Sequence, residues 1–385
     1  MPILGAGRVA TSTAVHSPGW IEHVDGRIVG VGAGRRGDAD LVLPEATVVP
    51  GFVDIHVHGG GGGSYTDLDE GSVRRARAAH LAHGTTTTMA SLVTADLDRL
   101  LASVALLADL ADEGVIRGIH LEGPWISPVR GGAHDHDALR APRAADVERL
   151  LAAGRGAVRM VTIAPELPSG LDAVRRITAA GAVAAVGHTD ATYAQTVAAI
   201  EAGARVATHL FNAMRPLHHR EPGPVLALAS DPDVTLEMIA DGTHLHPALY
   251  REVVRTAGAD RVALVTDAMA AAGLGDGEYR LGALAVSVHD GVAHVAGTDI
   301  IAGSTTTMDA LFRAALGAGE GSADGRPTDA AWLGAVRQTA TTPARAMGWD
   351  DVGDLAPGRR ADAVVLDADA RVTGVIVAGD PVASA

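Results

Sequence analysis

The chain has 385 residues, 47% apolar and 20% charged, with a formal net charge of −15 and no cysteine. That length fits one large α/β barrel with an appendage, and the absence of thiols excludes disulfides, cysteine nucleophiles and cysteine–metal sites. The acidity argues against nucleic acid and anionic membrane as partners, and no segment reaches the roughly 18 uninterrupted apolar residues of a membrane span.

Residues 1 to about 50 read as short strands with tight turns. Asp25-Gly26, within 24–29, is a hairpin signal, and 41–43 and 47–49 are further apolar runs. The first residues lack a basic segment followed by an apolar core, so a cytoplasmic location is expected. In the middle of the chain, helix-like stretches end at Gly84, Gly114, Gly154, Gly181, Gly203 and Gly258. Glycine just past a helix takes the left-handed conformation that stops it. Apolar runs follow at 85–90, 116–121, 158–163, 182–186, 206–210 and 262–266. With 52–57 and 234–240 they make eight predicted strands. Near-continuous apolar strands alternating with helices indicate parallel strands buried on both faces. The rhythm alone fits a (β/α)8 barrel or an open doubly wound sheet. Strand-like runs return at 362–367 and 371–377. The expected organisation is a β-sandwich built from 1–50 and 347–385, around an α/β catalytic barrel at 51–346.

Five predicted strands end in polar residues: Asp54, His56 and His58 at the first, and His120 and Glu122 at the third. His188 and Asp190 close the fifth, His209 the sixth and Asp267 the eighth. In a barrel these ends converge on one mouth, where active sites sit. His56 and His58 are two apart on a strand, so both point to the same side. Histidines and carboxylates gathered in one place are the donor set for zinc, iron(II), cobalt or manganese. Their recurrence in register with five strands selects the barrel. His16, His23, His80, His83, His289 and His294 fall outside this register and read as surface or packing residues.

The segment Pro50-Gly51-Phe52-Val53-Asp54-Ile55-His56-Val57-His58-Gly59 resembles the opening signature of the amidohydrolase superfamily. Within it, His120-Leu121-Glu122-Gly123-Pro124-Trp125 and His209-Leu210-Phe211-Asn212-Ala213-Met214 resemble the N-acetylglucosamine-6-phosphate deacetylases. Segments 216–223, 240–244 and 265–268 agree in the same order. The resemblance implies a metal-dependent (β/α)8 hydrolase barrel with a terminal β-sandwich. It also implies hydrolysis of N-acetyl-D-glucosamine 6-phosphate to D-glucosamine 6-phosphate and acetate, in amino-sugar catabolism and cell-wall recycling.

By that resemblance Glu122, His188 and His209 hold the main ion. His56 and His58 support a second, with Glu122 bridging, and Asp267 is the acid–base residue at the metal. One or two divalent ions are expected, zinc ahead of iron, cobalt or manganese. His134, on the loop after strand three, corresponds to a histidine that contacts the substrate amide. Phosphate contacts carry over to Asn212, Ala213, His219, Arg220 and His244, in a homodimer whose active sites lie near the interface. The loop at 127–137 departs from the family, many of whose members carry lysine near Arg130 and Gly131.

The rival readings meet specific absences. All 31 Lys+Arg side chains are arginine. An amidohydrolase bridged by a carbamylated lysine, or an aminoacylase with a cysteine ligand, is therefore impossible here. A deaminase needs a proton-shuttling glutamate after strand five, and Gly187-His188-Thr189-Asp190-Ala191 has none at that spacing. A non-catalytic scaffold of the same fold is the alternative from another class, and the complete polar set argues against it.

Overall fold

A computed structural model describes residues 2–319 and 326–382. Strands Phe52–Asp54, Thr85–Leu92, Gly118–Glu122, Val158–Ile163, Val183–Val186, Val206–Ala207, Thr235–Met238 and Val262–Leu264 pair in chain order in one sheet. Every pairing is parallel. The first and last strands meet across the remaining seam. Thr266 Oγ1 donates to Asp54 Oδ2 at 2.5 Å, and the Asp267 N–H donates to the His56 carbonyl at 2.8 Å. These contacts close a (β/α)8 barrel, and the open sheet is ruled out.

Five of the six glycines expected to stop helices take positive φ, from +77° at Gly114 to +117° at Gly203. Gly154 does not: it keeps φ −75°, and Arg155 takes the left-handed position at +48°. Glycine is required at 154 for space, since a Cβ there would lie 2.5 Å from Val158 Cγ2.

The barrel interior is layered. Val53, Met89, Met160, Val206 and Ala263 form an apolar cluster with Ala344, Met347 and Trp349, which plug the end where the strands begin. Above it lies a hydrogen-bonded band. His120 sits between Ser91 Oγ (3.0 Å) and Thr162 Oγ1 (2.8 Å), and Thr162 is 2.8 Å from Thr208 Oγ1. Burial holds the His120 imidazole well below its usual pKa, so this band is neutral. The charged residues stand above it, at the strand ends.

The chain's two ends build one mixed sheet of eight strands, in which Leu41–Pro50 lies between Ile3–Ala10 and Ala363–Leu366. The runs expected at 41–43 and 47–49 are one strand, continuous across a register shift opposite Ala6 and Arg8. Asp25 and Gly26, at φ +48° and +74°, turn the predicted hairpin. The sheet curls so that Ile28 exchanges backbone hydrogen bonds of 2.9 and 2.8 Å with Arg359 and Gly358, enclosing Leu4, Val9, Ile21 and Val48.

An unanticipated insertion follows the eighth barrel strand. Gly277–Leu281, Leu284–His289 and Val292–Val295 form an antiparallel sheet. Leu281, Val286 and Val288 pack on Val93, Ala133 and Met269, roofing one side of the mouth. Among the described residues no helix is long and apolar enough to cross a membrane.

Phe52 ties the first barrel strand to the helix Met308–Ala318. It is fully buried, with its ring 5.3 Å from Phe312. Phe52→Ala should cost about 3–5 kcal/mol of stability. Denaturant unfolding checks this, and a change within the ~0.5 kcal/mol typical of surface substitutions would contradict it.

Candidate metal and active site

The polar strand ends meet in one place. His56 Nε2 lies 3.2 Å from His58 Nε2, which lies 3.1 Å from both Glu122 Oε2 and Asp267 Oδ1. Glu122 Oε1 lies 3.2 Å from His188 Nε2 and 3.0 Å from His209 Nε2, themselves 3.0 Å apart. Glu122 thus stands between two histidine pairs, the position of a bridging carboxylate. All six side chains are buried, Asp267 being the most exposed at 8%.

Local backbone geometry produces this convergence. His188, His209 and Asp267 have φ of +46°, +28° and +49°. Each lies two or three residues past the end of its short strand. The left-handed conformation costs a side-chain-bearing residue roughly 1–2 kcal/mol. Here the chain turns sharply at each position, and the side chain enters the mouth.

The hydrogen-bond partners fix which ring nitrogen faces the centre. His58 Nδ1 lies 3.1 Å from the Ser91 carbonyl and His188 Nδ1 2.8 Å from the Arg130 carbonyl. A carbonyl only accepts, so Nδ1 carries the hydrogen and Nε2 can offer its lone pair to a cation. His56 is set the same way by the Glu237 carboxylate, 3.1 Å from its Nδ1. His134 has the opposite tautomer. The Thr94 N–H donates to its Nδ1 at 3.2 Å, so its Nε2 carries the hydrogen and points at Glu122 Oε2, 3.4 Å away. Burial and the neighbouring His188 push His134 down to about 4, leaving a neutral donor. The donor chemistry therefore fits a divalent metal held by His56, His58, Glu122, His188, His209 and Asp267, with His134 beside it as a hydrogen-bond donor.

The cluster opens into a cavity of about 310 Å³. Val93, Leu281 and Ile301 give it an apolar wall, and His134, Asn212 and His244 line it elsewhere. Burial disfavours the charged form of His244, but the Asp241 carboxylate, 2.7 Å from Nδ1, overrides this and raises its pKa. Ala213 also lines the cavity. His219 and Arg220 are exposed and do not line it. Glu221, the neighbour able to neutralise Arg220, instead accepts from the Tyr193 and Gly223 N–H groups. In the 127–137 loop, Arg130 pairs with Asp190 at 2.8 Å, and Asp190 also holds Arg215 at 2.7 Å.

The sequence reading missed Glu237, Thr94, Asp241 and the inserted sheet. One signal was available for Glu237: a lone carboxylate inside the apolar run 234–240 needs a buried partner. Thr94 acts through a partner on another segment, which no spacing marks, while Asp241 lies in the segment 240–244 three residues before its partner His244 and its role there went unread.

A model described as the amidohydrolase family matches residues 47–382. The crystal structure of N-acetyl-D-glucosamine-6-phosphate deacetylase from Mycobacterium smegmatis is 52% identical, with each chain covered in full and a TM-score of 0.96. Its D267A mutant in complex with N-acetyl-D-glucosamine 6-phosphate is 53% identical over 99% of this chain and 98% of that one, with a TM-score of 0.95. N-acetylgalactosamine-6-phosphate deacetylase of Escherichia coli O157:H7 is 36% identical over 352 residues, 89% of this chain and 88% of that protein. The chain belongs to the amidohydrolase family, in the branch of the N-acetylglucosamine-6-phosphate deacetylases. Its buried His/Glu/Asp cluster is a divalent-metal site.

Without metal, protons hold the cluster together. Burial opposes charge on His58, but Asp267 and Glu122 push it up to about 9, and His56 is likewise raised well above its usual value. Burial pushes Glu122 and Asp267 upward, and the facing histidines override it, holding both carboxylates ionised. A ligand histidine must shed its Nε2 proton, so metal uptake should release protons near neutral pH. Affinity should rise with pH up to about 9, where His58 loses its proton unaided. Calorimetry in buffers of different ionisation enthalpy checks this, and uptake without proton release would contradict it.

Proposed function

We propose that the chain hydrolyses the acetamide of N-acetyl-D-glucosamine 6-phosphate, releasing acetate and D-glucosamine 6-phosphate. One observation carries this reading. The buried metal-ligand cluster opens, beside a neutral hydrogen-bond donor, into a cavity lined by the polar side chains of Asn212 and His244 and by the apolar ones of Val93, Leu281 and Ile301. The relative at 52% identity is a deacetylase of this substrate, and its D267A mutant is described in complex with it. The metal ligands are read as Glu122, His188 and His209 for one ion and His56 and His58 for a second, bridged by Glu122, with zinc the first choice. When bound, such an ion lowers the pKa of its water from about 15.7 to about 7 and polarises the amide carbonyl.

The protein's own groups do the rest. Asp267, held ionised by His56 and His58, takes the proton of the attacking water and passes it to the leaving nitrogen. His134 donates its Nε2–H to the oxygen that becomes an oxyanion. Asn212, the backbone at Ala213, and His244, whose pKa the Asp241 carboxylate raises, receive the phosphate. Arg220 and His219, exposed and without a carboxylate partner among the described residues, reach the phosphate of the partner copy in a cytoplasmic homodimer. The apolar wall of Val93, Leu281 and Ile301 faces the acetyl methyl.

Acetate release should be much faster from the phosphorylated than from the unphosphorylated sugar. Asp267→Asn should lower kcat by about 10²–10⁴-fold with metal still bound. Arg220→Ala should raise KM for the phosphorylated sugar alone. Equal rates on both sugars, or an equal effect of Arg220→Ala on both, would remove the phosphate assignment. N-acetyl-D-galactosamine 6-phosphate, run alongside, tests whether the sugar's 4-hydroxyl is read.

A further inference from the structure

Glu237 lies in the seventh barrel strand, Thr235–Met238, and is fully buried. Its Oε2 is 3.1 Å from His56 Nδ1 and accepts the backbone N–H of His209 at 3.2 Å. Its Oε1 is buried with no hydrogen-bond partner among the described residues. Among the described residues no arginine pairs with it; its only ion-pair partner is His56. A buried carboxylate with an unused oxygen is destabilising unless something nearby needs its charge. What lies nearby is the ligand cluster, touched by Glu237 on two sides: the His56 ring from strand one and the His209 backbone from strand six.

The other cluster histidines are held differently. His58 and His188 give Nδ1–H to neutral carbonyls, of Ser91 and Arg130. His209 Nδ1 is buried with no partner. Of these four histidines, His56 is the one whose Nδ1 meets a carboxylate among the described residues. A carboxylate on the far nitrogen fixes the tautomer and ring orientation of a metal-bound histidine and raises its basicity, and losing such a partner typically costs 10–100-fold in metal affinity.

We infer that Glu237 is a positioning residue that holds His56 for the ion bound by the His56–His58 pair, an inference resting on the metal reading above. Glu237 meets the His56 ring directly but His209 only at its backbone N–H, not at its ring. Its loss therefore weighs on the His56–His58 site more than on the ion held by Glu122, His188 and His209.

The test measures zinc binding by Glu237→Gln and Glu237→Ala in competition with a chelator, alongside thermal unfolding of the metal-free proteins. One ion should bind as in the unmodified chain and the other about 10–100-fold more weakly. Glutamine, which keeps an acceptor for His56 Nδ1–H, should lose less than alanine. Unchanged affinity for both ions overturns the inference, even if metal-free stability falls, because a purely structural residue would do only that. Equal weakening of both ions also overturns it. If the unmodified chain binds no zinc, the metal reading itself fails and this inference falls with it.

Discussion

Four carboxylates are buried at one end of this barrel, and the architecture above them follows from how their charge is met. Asp54 and Glu237 are fully buried, Glu122 is 2% exposed and Asp267 8%. Moving an ionised carboxylate out of water costs several kcal/mol unless a counter-charge or hydrogen bonds replace the solvent. The chain has no lysine, and no arginine pairs with any of the four among the described residues. At Asp54 burial pushes the carboxyl up to about 7, while Thr266 Oγ1 and two backbone N–H groups donate to it at the barrel seam and work against that rise. The other three face histidines. A divalent ion is the remaining source of positive charge, and the same charge activates water and polarises an amide.

The barrel separates this costly region from the part that keeps it folded. Apolar side chains fill the end where the strands begin, and a neutral band of His120, Ser91, Thr162 and Thr208 separates them from the charged residues above. At the rim, left-handed turns at His188, His209 and Asp267 place backbone strain on residues of the site itself. The inserted sheet covers one side, so the mouth is apolar where Leu281 and Val93 stand and polar toward Asn212 and His244. A substrate with a small acyl group at one end and an anion at the other matches that division.

Much of this was legible because five of the eight predicted barrel strands end at a residue with chemistry. The strands at 85–92 and 158–163 fall on the apolar runs read at 85–90 and 158–163, and period-two alternation placed His56 and His58 together. The missing lysines, a compositional bias at first sight, left Glu122 as the available bridging ligand, and the geometry puts it between the histidine pairs. What sequence did not reveal acts at a distance or through space. Glu237 looks like one polar break in an apolar strand, and only the closed barrel brings it to His56. Gly154 carries the same helix-stop signal as its five counterparts, yet its role is clearance from Val158. The inserted sheet has ordinary alternation and no site residues of its own pattern, and its position over the mouth comes from packing against Val93 and Met269.

The central claim is that the charge balancing these carboxylates is also the catalyst. Its most direct test is to strip the protein of metal, return zinc in measured increments, and follow acetate release from N-acetyl-D-glucosamine 6-phosphate. The account predicts no turnover at zero metal and a rate that rises with occupancy and then saturates. Full turnover by the metal-free chain, or metal uptake that leaves the rate at zero, would contradict it.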